Sequence, residues 1–371
     1  MPGLLVAGRP LILASVADGA QGLIVADVAR ALRARPEGQP ATLVVMCRDG
    51  TRMAGLARAL AFFAPDLEVV EFPAWDCLPY DRVSPHTGVV AQRMTALSRL
   101  VREGAPPAVL VTSVNAALQR LPQRDFVAGQ LLSIGAGNVL PMADLVARLE
   151  LNGFLRTTTV REPGEYAVRG GIVDLYAPGA DEPVRLDFFG ETLETIRSFD
   201  PETQRTTGDR RRLDLVPAAE MQLTSETIKR FRLGYVEAFG APAPNDLLYA
   251  AISEGRRHPG MEHWLPLFHE QMQTLFDYVP NCTTVLEPLV EEAAHERLAQ
   301  IGDYYEAREQ ALGQTGGGPP YKPLPPSRLY LEEKEWRQHI EHAPLARLTP
   351  FAVPEGQGTV IDTGARQGRN F

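Results

Sequence analysis

The chain has 371 residues and a formal net charge of −9, a balance that argues against a protein that grips nucleic acid by bulk charge. No apolar run approaches the roughly 18 residues that span a bilayer, and three scattered cysteines form no CxxC pair. We therefore expect a cytoplasmic protein of about two or three domains, with no membrane segment, no metal centre and no disulfide framework.

Short apolar runs alternate with helical patterns through the first 130 residues. The runs predict strands at 10–16, 41–46, 67–72 and 108–112. Helices are predicted at 23–35 and 91–102, and another follows the second strand and ends at residue 63. Apolar strands that alternate with helices are typical of a parallel sheet covered on both faces. The predicted fold class is therefore α/β.

The loop after the first strand is where such a fold would hold phosphate. A working phosphate loop reads GxxxxGK[ST], in which the lysine reaches the β- and γ-phosphates and the hydroxyl binds magnesium. Residues 17–25 contain Gly19 and Gly22 but no lysine, serine or threonine, and Asp18 would repel a triphosphate. We expect no nucleotide to bind here, and we assign the glycines to the turn and to close helix packing.

A hairpin-rich region follows a predicted helix at 140–149, whose Leu145 and Leu149 lie on one stripe. Residues 157–199 break into short β-branched and aromatic runs punctuated by Pro163-Gly164, Gly170-Gly171, Pro178-Gly179 and Gly190. Turns at this spacing predict an antiparallel sheet, because a hairpin needs only a few linking residues.

One predicted strand of this region carries a candidate protein-binding surface. In the run 185–189, strict alternation puts Arg185, Asp187 and Phe189 on one face. Arginine and aromatic side chains together are favoured at protein interfaces. Arg169, just before a glycine pair, would reach the same patch from a neighbouring strand. The alternative is that Arg185 and Asp187 pair with each other while Phe189 covers the end of the sheet.

The last third of the chain returns to helices, the clearest at 247–254 and 291–311. A strand at 283–286 ends in Glu287, where an active helicase would carry Asp-Glu to hold magnesium and orient water. Glu287 lacks that neighbour, so the second half of the ATPase chemistry is also predicted to be absent. Two segments are predicted to be irregular, the Gly- and Pro-rich residues 313–327 and the aperiodic residues 341–371. The chain stops there without a further domain, which predicts a piece of a longer protein.

Several motifs resemble the bacterial transcription-repair coupling factor family. The most specific lie in the hairpin region: GEYAVRGG at 164–171, DLY at 174–176, RLDFF at 185–189 and FDPETQRT at 199–206. Two more are EFPAWDCLPYDRVSPH at 71–86 and GMEHWLPLF at 260–268. The resemblance extends from about residue 10 to the end, and it relates the hairpin region to the UvrA-binding domain of the excision-repair protein UvrB.

This resemblance implies a domain arrangement. Residues 1–130 and 218–335 would together form a degenerate P-loop, helicase-like parallel-sheet domain similar to the first domain of UvrB. Residues 131–217 would be an inserted α+β domain with an antiparallel sheet, and residues 336–371 a linker toward a further domain that is not present.

The resemblance also implies a function, that of a non-catalytic adaptor which recruits UvrA to stalled RNA polymerase in nucleotide excision repair. Arg169, Arg185 and Phe189 match the positions that contact UvrA, and no catalytic residue, metal or cofactor is expected. ATP and magnesium would act only in the motor domains of the full-length translocase, which this chain lacks. RNA polymerase and DNA would be bound by other absent domains.

Two other functions stay open as alternatives. A UvrB-like ATP-dependent helicase or repair enzyme would need the missing loop lysine. A DNA-binding module is opposed by the acidic charge and by the four residues between His86 and the helix at 91–102, which leave no room for a UvrB-type DNA-inserting hairpin.

Overall fold

The computed structural model of the protein describes residues 8–34, 42–104, 106–312, 321–354 and 359–365. Within these ranges the chain builds a seven-stranded sheet, a six-stranded sheet and a two-stranded ribbon. None of the described helices combines the length and the apolar composition that a bilayer crossing requires.

The first part of the chain alternates strands and helices as predicted. In order these are β1 (Leu11–Ala14), α1 (Gln21–Arg33), β2 (Leu43–Cys47), α2 (Gly50–Phe63), β3 (Val69–Phe72), α3 (Thr87–Val101), β4 (Val109–Ser113) and α4 (Val114–Ala117). All five residues of both β2 and β4 are buried, as expected for central strands with helices on both faces. α2 begins where the Asp49 carboxylate accepts a hydrogen bond from the Arg52 backbone N–H at 2.8 Å.

The middle part of the chain is rich in strands. It contains α5 (Arg124–Gln130), β5 (Leu132–Gly135), α6 (Met142–Leu151), β6 (Leu155–Arg156), β7 (Glu165–Arg169), β8 (Ile172–Leu175), β9 (Val184–Phe189), β10 (Thr192–Phe199), β11 (Thr206–Arg210) and β12 (Arg212–Leu215). The six-stranded sheet has the order β11-β10-β9-β8-β7-β6, while β12 pairs with β5. Every pair in the larger sheet is antiparallel except β6–β7, which is parallel. The predicted antiparallel sheet is therefore present, with one parallel edge strand.

Helix α6 closes the inner face of the six-stranded sheet. Leu145 and Leu149, predicted to lie on one buried stripe, are 1% and 2% exposed. They pack in one cluster with inward-facing strand residues that include Tyr166, Val173 and Leu186. This packing removes the inner face of the sheet from solvent.

The turn between β7 and β8 requires glycine at both of its positions. Gly170 has a φ of +60°, a left-handed conformation that favours glycine. At Gly171 an added Cβ would lie 2.9 Å from the backbone oxygen of Phe188 in β9. The glycine pair thus allows β7, β8 and β9 to meet closely at the end that carries Arg169 and Phe189.

The last part of the chain is helical and then rejoins the first sheet. Its elements are α7 (Ser225–Phe239), α8 (Leu247–Ser253), a 3-10 helix (Met261–Leu267), α9 (Leu275–Tyr278), β13 (Thr283–Leu286), α10 (Val290–Leu312), α11 (Pro326–Leu329), α12 (Glu333–His342), β14 (Leu345–Leu348) and β15 (Thr359–Asp362). The seven-stranded sheet is parallel throughout, with the order β15-β1-β14-β13-β2-β4-β3. Strands from before and after the middle part therefore share one sheet.

The prediction of a linker over residues 336–371 is wrong for much of the described part of that range. β14 lies inside the sheet between β1 and β13, and β15 forms the edge beside β1. These strands have only four residues each and carry Arg347 or Asp362, so they show no periodicity that separates them from a linker. Residues 313–320 of the predicted loop and residues 366–371 lie outside the described residues.

A buried ion pair fixes the point where the chain returns from the middle part. Arg93 of α3 donates from Nε to Glu220 at 2.6 Å, and the two side chains are 0% and 2% exposed. Glu220 also accepts from Trp75 Nε1 at 2.9 Å, and Arg93 donates to the carbonyl of Pro73 at 2.8 Å. Both charges are thus paired away from water, so removal of either side chain would leave the other charge buried without a partner.

We predict that Arg93→Ala or Glu220→Ala lowers the free energy of unfolding by about 3–5 kcal/mol, because each leaves an uncompensated buried charge. Urea denaturation measures the loss. The matched control is Arg256→Ala, which breaks an exposed pair with Glu254 and should change stability by less than about 0.5 kcal/mol. A loss at Arg93 no larger than that of the control would contradict the prediction.

Candidate protein-binding face

The three residues predicted to bind a partner share the outer face of the six-stranded sheet. Arg169 lies directly opposite Ile172, which lies directly opposite Asp187 on the next strand. Directly opposed residues of antiparallel strands point to the same side. Alternation along β9 then adds Arg185 and Phe189 to that side, which is the side away from α6.

Arg169 and Phe189 are the open members of this face. Phe189 is 76% exposed at the end of β9. Arg169 is exposed and donates from Nη2 to the carbonyl of Thr158 at 2.8 Å. No carboxylate pairs with Arg169 within the described ranges. A ring and a guanidinium on one surface can supply buried area and a charge-assisted hydrogen bond to a partner.

Arg185 differs, because a member of the predicted protein-binding surface should be exposed, whereas Arg185 is half-buried and paired within the chain. Its Nε and Nη2 donate to the two carboxylate oxygens of Asp174 at 2.7 and 2.9 Å, and its side chain is only 19% exposed. Its guanidinium carbon lies 5.0 Å from the centroid of the Phe199 ring. The hydrogen bonds to Asp174 raise the pKa of Arg185 above its ordinary value. Asp174 lies directly opposite on β8, and alternation within one strand cannot reveal a cross-strand partner.

The alternative pairing of Arg185 with Asp187 is also wrong. The Asp187 carboxylate instead pairs with Arg197 of β10 at 2.5 Å and accepts a hydrogen bond from Thr195 at 2.7 Å. Sequence reasoning missed Asp174 and Arg197 as members of this face. The alternation of β10 could have indicated Arg197, but nothing in the sequence gives the register that sets it opposite Arg185.

Part of the outer face is covered by the chain itself. Val160, Ala167 and Phe199 form a small buried cluster with Tyr176 at its side. Arg185 lies at the margin of this covered part, over Phe199. The open part is the end of the sheet around Arg169 and Phe189.

The second predicted feature, the glycine-containing loop at residues 17–25, lies at the carboxyl edge of the parallel sheet. The predicted loop forms a 3-10 turn, Asp18–Ala20, and α1 begins directly after it. An added Cβ at Gly22 would lie 2.7 Å from the Cβ of Ala59 in α2, so this glycine serves close helix packing as predicted. Gly19 has no heavy atom near its Cβ position and belongs to the turn.

Arg52 ties together the loops at this edge of the parallel sheet. From α2 it donates to the Asp18 carboxylate at 3.1 and 3.2 Å and to Gln21 Oε1 at 3.0 Å, and it also pairs with Glu287. The Glu287 side chain is 2% exposed. These residues follow β1, β2 and β13, whose carboxyl ends meet at this edge. Asp18 and Glu287 are therefore both paired with Arg52. No group of three or more potential metal ligands occurs among the described residues.

We predict that Arg52→Met lowers the free energy of unfolding by about 3–5 kcal/mol, because it leaves the Glu287 carboxylate buried without a counter-charge. Adding Glu287→Met to that variant should recover most of the loss, because neither charge then remains unpaired. Urea denaturation measures both. Arg48→Met, which removes an exposed pair with Asp49, is the control and should stay within about 0.5 kcal/mol. Equal losses at Arg48 and Arg52 would be the contrary result.

Comparison with known proteins places the three residues of the outer face within a recognised domain. Residues 132–221 match the model of the UvrB interaction domain, a range that holds β5 to β12 together with Arg169, Arg185 and Phe189. The chain is 32% identical over 335 residues to the transcription-repair-coupling factor of Haemophilus influenzae, covering 90% of this chain and 28% of that protein.

Two further relatives carry the same name. The protein of Rickettsia bellii is 34% identical over 286 residues, which is 77% of this chain and 25% of the relative. The protein of Escherichia coli is 29% identical over 352 residues, which is 94% of this chain and 29% of the relative. The chain thus spans between a quarter and a third of the length of these relatives.

Proposed function

We propose that this chain, which belongs to the transcription-repair coupling factor family, is an adaptor that binds UvrA through the outer face of its six-stranded sheet. One observation carries the proposal: the residues matched to the UvrB interaction domain present Arg169 and Phe189 on a single open face. In the whole protein this binding would bring excision repair to a stalled RNA polymerase, which other domains would hold together with DNA.

The physical character of the face supports a protein partner. An exposed phenylalanine at the end of a sheet gains stability when a partner removes it from water, and aromatic and arginine side chains dominate interface energetics. The arginine adds directional recognition of a carboxylate. Nucleic acid is less suited, because the chain carries a net charge of −9 and two of the three arginines on this face are already neutralised by Asp174 and Asp187.

In this adaptor the unit built on the parallel sheet has a structural role. The described residues up to about 130 and those from about 218 to the end of β15 form one unit, a nucleotide-binding fold similar to the first domain of UvrB that has lost its site, and residues 131–217 are inserted into it. The position of β13 between β14 and β2 supports this arrangement. The commitment of Asp18 and Glu287 to Arg52 supports the loss of the site.

We expect the protein neither to bind nor to hydrolyse ATP at millimolar concentration, because the loop at 17–25 lacks a lysine. In addition, Asp18 and Glu287 are already paired with Arg52. Isothermal titration with Mg-ATP and a phosphate-release assay measure this. Magnesium-dependent turnover that disappears on Asp18→Ala would show that the adaptor description is incomplete.

We expect Arg169→Ala and Phe189→Ala each to weaken UvrA binding by about 1–4 kcal/mol, the range of interface anchors. Both side chains are exposed, so the melting temperature should hardly change. Arg185→Ala should lower UvrA affinity and melting temperature together, because it leaves Asp174 buried and unpaired. Biolayer interferometry with UvrA and thermal denaturation measure the two quantities.

Phe62→Ala is the matched control, because Phe62 is a phenylalanine of similar exposure, 79%, on helix α2 beside the seven-stranded sheet. It should leave UvrA binding unchanged. The proposal fails if folded Arg169→Ala and Phe189→Ala proteins bind UvrA as tightly as the Phe62→Ala control.

A further inference from the structure

The outer face holds three arginines, and two of them are already neutralised by this chain. Arg185 is bound through both carboxylate oxygens of Asp174, and Arg197 is bound by Asp187. Arg169 makes its hydrogen bond to a backbone carbonyl and has no carboxylate partner in the part of the chain that the structure describes. The three arginines therefore differ in the charge that they can offer to a partner.

Arg185 is the least able to change partners. Its carboxylate Asp174 is only 2% exposed, so a competing acid on UvrA would have to leave that carboxylate buried without a counter-charge. The guanidinium also lies over the buried ring of Phe199, which holds it in the sheet. The bidentate pair joins β8 to β9 in a single register.

That register determines where the open residues stand. Arg185 and Phe189 lie on the same face of β9, four residues apart. Ile172 of β8, half-buried on this face, is opposite Asp187 and hence a diagonal neighbour of Phe189. Arg169 is directly opposite Ile172. Locking β8 to β9 therefore sets the spacing between the guanidinium of Arg169 and the ring of Phe189.

We propose that Arg185 and Asp174 form a positioning pair that makes no charge contact with UvrA. Arg169 is then the arginine that pairs with a carboxylate of UvrA. The complementary surface on UvrA would then be an acidic side chain beside an apolar depression that receives Phe189 and Ile172. This inference rests on the proposed function and divides its residues into those that contact the partner and those that hold the contact residues in place.

The test replaces the pair by neutral groups that can still bond to each other. Asp174→Asn with Arg185→Gln removes both charges and keeps an amide-to-amide hydrogen bond. UvrA affinity should stay within about threefold of the unaltered protein, while Arg169→Gln should weaken it by about tenfold or more. Arg256→Gln, at an exposed arginine outside the six-stranded sheet, is the matched control and should have no effect. Melting temperatures are recorded for all variants.

Salt dependence gives a second readout that needs no change to a buried group. Added sodium chloride should weaken UvrA binding to the unaltered protein, because salt screens an exposed charge pair. The residual binding of Arg169→Gln should show little of this dependence. If its salt dependence equals that of the unaltered protein, another arginine pairs with UvrA and the inference is overturned, whether or not the double variant folds.

The remaining outcomes separate this inference from the proposed function. If the folded double variant binds as weakly as Arg169→Gln while Phe189→Ala also binds weakly, UvrA reads the charge of Arg185, and only the division of roles is wrong. If the unaltered protein does not bind UvrA, or if Arg169 and Phe189 variants bind normally, the proposed function itself fails.

Discussion

The buried pair between Arg93 and Glu220 is the interaction on which the arrangement of the two sheets depends. Glu220 is the point where the chain returns from the six-stranded sheet, and its carboxylate binds both α3 and Trp75 of the loop after β3. Its backbone carbonyl also accepts from His269 Nε2 at 2.9 Å. Because both charges are removed from water, neither partner can leave without a large loss of stability. The returning segment is therefore held against the parallel sheet.

The same device recurs at the two candidate sites. Arg52 pairs with the buried Glu287 at the carboxyl edge of the parallel sheet, and Arg185 binds both carboxylate oxygens of the buried Asp174 on the outer face. In both places an arginine forms an ion pair within the protein and holds neighbouring loops or strands together. Arg169 is the contrast, an exposed arginine that meets no carboxylate among the described residues. Arg169 is thus a local, exposed cation on a protein of net charge −9.

Local patterns were sufficient for much of the fold and for part of the site. The apolar runs near β2 and β4 predicted a parallel sheet, and the glycine and proline punctuation of 157–199 predicted hairpins. The short strands β14 and β15 were missed, since four residues containing Arg347 or Asp362 carry no period. Their place in the sheet is set by pairing with β1 and β13, which is a contact between distant parts of the chain.

The sequence by itself determined that Arg185, Asp187 and Phe189 share a face, because side chains alternate along any strand. It also determined that the loop at 17–25 lacks the lysine of a working phosphate site. Only the tertiary structure decided which carboxylate each arginine meets. Strand register put Asp174, not Asp187, opposite Arg185, and it brought Arg169 in from β7. Register depends on turns and on packing against α6, so the physical reason is that charge pairing across strands is a long-range property.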